Sequence, residues 1–246
     1  MAMMRTLRTV SGATLAGALL FASAPHAAAD QVRDDQWALN ALQAKSVWQI
    51  TKGKGQVIAV IDAGVDANHP DLRGSVLKGK DFMDGGSPAP QGGDDHGTSM
   101  AADIAGHGHG PGHENGVMGL APEAKILPIR DLGQSSTGLA ASIRFAVDHG
   151  ATVINISLGG HDPARKAMEK AIGYAVSHDV VIVAPTGNSG GPVEYPAAFD
   201  GVVAVSGVAK DGTYWTDSSR GEETLLSAPA ERIVSAGDSD SGYVIA

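Results

Sequence analysis

Gly55-Gln56-Val57-Ile58-Ala59-Val60-Ile61-Asp62-Ala63-Gly64-Val65-Asp66 reads as one central strand and the turn that follows it. Residues 57–61 are apolar, largely β-branched and without polar alternation, the pattern of a strand covered on both faces in a parallel sheet. The run ends on Asp62. Burying an ionised carboxylate is costly unless it is paired, so this position calls for a charge partner or a chemical role. The plainer alternative is a turn or cap, since Asp-Ala-Gly also suits one.

Beyond this strand, further strands are expected over 80–82, 125–130, 152–157, 180–185 and 202–206, with helices over 137–149 and 163–178. Strands separated by helices of ten to fifteen residues give right-handed crossovers. The expected fold is therefore α/β and three-layered, a mostly parallel sheet with helices on both faces, whose site lies beyond the carboxyl ends of the strands. Apolar positions recur loosely over 34–48 and predict an outer helix. Residues 84–93 are rich in Gly, Pro and Ser and predict a loop.

At the amino terminus Arg5 and Arg8 precede an apolar run over 10–24, and Ala27-Ala28-Ala29 offers small residues for cleavage. Residues 1–29 read as a secretory signal peptide, since the run falls short of the roughly twenty residues a membrane span needs. The expected domain is 30–246, secreted or extracytoplasmic. Loss of Arg5 and Arg8, with no acid in that segment, takes the net charge from −9 to −11. Such a charge argues against nucleic acid as a partner. The sequence has no cysteine, so export brings no disulfides.

A partner for Asp62 is offered by Asp94-Asp95-His96-Gly97-Thr98, which opens a helix. Asp94 or Asp95 could merely cap that helix, and a lone histidine could be a buried, hydrogen-bonded one. Asn188, in Thr186-Gly187-Asn188-Ser189-Gly190, could be a turn residue. Together the three segments resemble the aspartate, histidine and oxyanion-asparagine elements of the subtilisin-like serine proteases, and the likeness runs from about residue 37 to 246. The resemblance implies a secreted endopeptidase. His96 would be general base and acid, Asp62 would hold its tautomer, and Asn188 would donate its amide to the oxyanion. It also implies that Ser157-Leu158-Gly159 and the loop 133–138, with Ser136, Thr137 and Gly138, wall a cleft for a protein or peptide substrate in extended conformation. Without the resemblance both are ordinary Gly-rich loops. The lead-in from Trp37 through Asp62, with the signal peptide, is similar to the mycosins, proteases associated with type VII secretion. That subgroup usually carries a carboxyl-terminal anchor, so membrane association would come from a segment not in these residues.

The family's nucleophile lies in a Gly-Thr-Ser-Met-Ala-like motif after the last strands, and residues 241–246 resemble only its lead-in. A near copy at Gly97-Thr98-Ser99-Met100-Ala101 makes Ser99 a candidate nucleophile. It is rejected because it would lie three residues along the helix that His96 opens, out of reach of the oxyanion donor. Ser99 is also a departure, for the family commonly has a second histidine there. The expectation is a domain incomplete at its carboxyl end, which as written neither hydrolyses peptides nor folds stably. Rival readings are a pseudoprotease that binds peptides uncut and a secreted metal binder built on His107, His109 and His113. Glycine at every gap of that Gly-His run favours a flexible surface loop instead. No metal or cofactor is assigned, a calcium site is not assignable, and His69 is read as structural.

Overall fold

A computed structural model describes residues 31–134, 136–160, 165–237 and 242–245. The expected signal segment 1–29 lies outside them. In chain order the elements are α1 (Trp37–Ala41), α2 (Ala44–Val47), β1 (Val57–Asp62), β2 (Lys80–Asp81), α3 (His96–Ala105), β3 (His107–His109), β4 (Asn115–Met118), β5 (Lys125–Arg130) and α4 (Ser136–Asp148). They continue with β6 (Val153–Ile156), α5 (Arg165–Ser177), β7 (Val181–Pro185), β8 (Val202–Val208), β9 (Thr224–Pro229), β10 (Val234–Ala236) and β11 (Tyr243–Ile245).

Seven strands form one sheet in the order β2-β5-β1-β6-β7-β8-β9, and its six pairings are parallel. β1 lies inside it, between β5 and β6, with Asp62 level with Arg130. Its side chains supply two cores. Ala59 and Ile61 join the cluster formed with α4 and α5, whereas Ile58 and Val60 join the cluster formed with α3. Ala59, Val60 and Ile61 are fully buried, and side chains the size of Val60 and Ile61 each contribute about 1.5–3 kcal/mol on leaving water. The unalternated apolar pattern thus has its cause in helices on both sides of the strand.

The single outer helix expected over 34–48 is not formed. Helical turns over residues 31–35 give way to two short helices, and Gln43 between them has φ 52°. A left-handed residue ends a helix. The segment is held from outside itself, by the Trp37 indole donating to the Glu231 and Arg232 carbonyls and the Trp48 indole to that of Leu120. Five strands were not expected from the sequence: β9 extends the main sheet, while β3 with β4 and β10 with β11 make two antiparallel hairpins. Among the described residues no helix is long and apolar enough to cross a membrane.

Candidate active site

Asp62 ends β1 and is 1% exposed as a residue. Its Oδ1 accepts the Ala63 N–H at 2.7 Å, and both oxygens face His96 Nδ1, at 2.9 and 3.0 Å. Arg130, level with it on β5, is committed elsewhere, donating to Asp81 and Asp84. A carboxylate can only accept, so His96 must donate through Nδ1, which leaves the lone pair of the neutral ring on Nε2. That is the tautomer a general base needs.

The local sequence explains how β1 and α3 come so near. At Gly97 a Cβ would lie 2.3 Å from the Gly64 carbonyl oxygen and 3.1 Å from Asp62 Cβ, so a side chain there would push the helix off the strand end. Thr98 Oγ1 accepts the Asp66 N–H at 3.0 Å, pinning the turn after β1 to α3. Asp94 Oδ1 accepts the His96 N–H at 3.2 Å. The His96 side chain is half exposed. The hydrogen bond it donates to Asp62 raises the His96 pKa above the ordinary histidine value, burial opposes this, and the charges of Asp62, Asp94 and Asp95 add to the rise. Ser99 points away: its Oγ donates to the Ala236 carbonyl at 2.7 Å and it is buried against β10.

A cleft of about 560 Å³, large enough for several substrate side chains, is lined by His96, Asn155, Ser157, Leu158, Gly159 and Asn188, among others. Asn188 lies exposed in the loop after β7. Asn155 Nδ2 donates to Ser157 Oγ at 2.7 Å, steadying the strand end from which the wall 157–159 departs. Ser136, Thr137 and Gly138 differ from expectation: they form the first turn of α4 rather than loop, and Gly138 does not line this cleft. Ser135 and the side chains of Ser136 and Thr137 lie outside what is described. Glu194, Met100 and Trp215 also line the cleft and were not anticipated.

The Gly-His run is not a flexible loop. His107–His109 is a strand paired with β4, the His107 and His113 rings meet edge to face at 5.6 Å, and His109 Nδ1 bonds Asp71 Oδ1 at 2.6 Å. Among the described residues no group of three or more His, Cys, Asp or Glu is placed to hold a metal. His69 is buried, with Nδ1 accepting the Asp71 N–H and Nε2 on the Gly242 carbonyl.

Residues 53–244 match the model of the subtilase family. The chain belongs to that family. It is 37% identical over 205 residues to thermitase of Thermoactinomyces vulgaris, covering 81% of this chain and 72% of thermitase. To the thermophilic serine proteinase of Bacillus sp. (strain AK1) it is 39% identical over 194 residues, which cover 76% of this chain but 47% of that protein. The crystal structure of MycP1 with its amino-terminal propeptide removed superposes with TM-score 0.71 at 28% identity, over 85% of this chain and 78% of that one. This subtilase therefore shares the α/β fold of serine proteases whose substrates are proteins.

Proposed function

We propose that this subtilase is the catalytic domain of a mycosin-type serine endopeptidase, exported by residues 1–29, that hydrolyses proteins bound as extended chains along Ser157–Gly159. In this reading a serine carried beyond residue 246 attacks the scissile carbonyl while His96 Nε2 takes its proton. The imidazolium is stabilised by Asp62, and Asn188 donates its side-chain amide to the oxyanion. His96 then returns the proton to the leaving amine, and water hydrolyses the acyl ester by the same route in reverse.

The observation that carries the reading is the His96 Nδ1–Asp62 contact at 2.9 Å with the ring half exposed on the cleft that also presents Asn188. Coding sequence downstream of residue 246 is to be read and the extended chain assayed on fluorogenic peptides. The expected result is a Gly-Thr-Ser-Met-Ala-like motif and turnover that His96→Ala abolishes. A stop codon directly after Ala246, or an extended chain that folds and binds peptides without cutting them, would overturn it in favour of a pseudoprotease.

A further inference from the structure

Glu194 stands in the cleft with no role assigned by the mechanism above. Its backbone N–H donates to the Thr186 carbonyl at 2.9 Å, and Gly160 and Tyr195 exchange both backbone hydrogen bonds at 3.1 Å. These contacts draw the Glu194 side chain into the gap between the wall 157–159 and the loop that carries Asn188. A Cβ on Gly159 would lie 2.6 Å from Glu194 Oε2, and a Cβ on Gly187 would lie 2.6 Å from Glu194 Cδ. The two glycines thus make room for a carboxylate lodged between the walls, one residue from Asn188. Ser189 Oγ donates to Oε1 at 2.8 Å, and among the described residues Oε2 accepts no hydrogen bond. None of the ion pairs among the described residues includes Glu194.

We propose that Glu194 sets the specificity of the cleft, selecting a substrate whose side chain beside the scissile carbonyl is lysine or arginine. The proposal rests on the peptide-binding reading of the cleft given above. A carboxylate lodged between the cleft walls with an open acceptor oxygen favours a cation that can hydrogen-bond it, arginine above all because its planar fork matches a carboxylate. A neutral side chain would gain no charge-assisted hydrogen bond there, and an acidic one would meet like charge. The net charge, −11 once residues 1–29 with Arg5 and Arg8 are removed from the full chain's −9, adds a field of the same sign, which favours approach of basic segments.

The test needs no catalysis. Fluorescence polarisation on the extended chain, silenced by His96→Ala, would follow amino-terminally labelled peptides of three alanines followed by an arginine, lysine, leucine or glutamate amide. The arginine and lysine peptides are expected to bind about tenfold or more tighter than the leucine one, as a charge-assisted hydrogen bond requires, and to weaken selectively as salt rises. Glu194→Gln should erase that preference while leaving the leucine peptide unchanged, and Glu194→Lys should turn it toward glutamate. Equal binding of arginine and leucine peptides, or a preference that survives Glu194→Gln, overturns the specificity proposal alone. Failure of every peptide to bind a chain with an intact cooperative melt overturns the cleft reading with it.

Discussion

Two aspartate–histidine pairs occur within one domain, Asp62–His96 at 2.9 Å and Asp71–His109 at 2.6 Å, each with a buried aspartate. By contact alone the second is the better pair. They differ in what surrounds them. Asp71 Oδ2 accepts the Val117 N–H at 2.8 Å, and the Tyr243 hydroxyl hydrogen-bonds the same carboxyl group, its pKa raised by burial and by that charge. Arg33 Nε donates nearby to the Gly116 carbonyl at 2.8 Å. The second pair is a knot joining β3, β4 and β11. Asp62 instead holds one imidazole whose far side lines a cleft beside an amide donor. An aspartate–histidine contact is thus not itself a chemistry; the open face of the ring decides.

The two pairs come apart most sharply at their carboxylates. In the serine-bearing chain, Asp62→Asn is expected to lower kcat about 10⁴-fold by presenting the wrong tautomer. The melting temperature should stay nearly unchanged, because the amide is isosteric. Asp71→Ala should do the reverse. It leaves the buried Val117 N–H and the His109 Nδ1–H without acceptors, each costing about 1–3 kcal/mol. For a domain of this size that lowers Tm by about 2–4 °C per kcal/mol, with turnover per folded molecule nearly intact. Paired thermal melts and active-site-normalised kinetics would decide. An Asp71→Ala chain that melts normally but turns nothing over would make the second pair part of the chemistry.

A smaller effect is expected at the donor that distinguishes the first pair's surroundings. Asn188→Ala should cost about 10²–10³-fold in kcat, with KM and Tm nearly unmoved, since the side chain is exposed and in the proposed mechanism meets only the developing oxyanion. A change confined to KM would instead make Asn188 a ground-state contact.

What the sequence discloses follows the same division. β1 and the Asp-His-Gly-Thr segment are legible because their causes are local: an unalternated apolar run, and a glycine and threonine one and two residues from His96. The hairpin of β3 and β4 is illegible because its cause is remote. Asp71 reaches His109 across 38 residues, and at Gly116, φ 78°, a Cβ would lie 2.3 Å from Asp71 Oδ1. Glycine there serves a carboxylate far away in sequence, whereas local reading takes it for looseness. Glu194 was missed for a similar reason, since its place in the cleft comes from a bridge between Gly160 and Tyr195.

The smallest expected effect belongs to the exposed pair and appears in pH. The folded pKa of His96 is raised above 6.5, first by the hydrogen bond to Asp62 and then by the charges of Asp62, Asp94 and Asp95. A raised folded pKa stabilises the native state fully below the unfolded value, and that stability is lost as pH rises through the folded value. The Tm difference between the wild type and His96→Gln should therefore be greatest below about pH 6.5 and shrink above it. Turnover runs the opposite way, because the base must be unprotonated, so the acidic limb of kcat/KM in the serine-bearing chain should lie above 6.5. Asp94→Asn, which keeps an acceptor for the His96 N–H but removes a charge, should move that limb down in pH while leaving the plateau unchanged. Were the limb to stay fixed while the plateau fell, Asp94 would be acting by placing the ring, and the electrostatic account of His96 would fail.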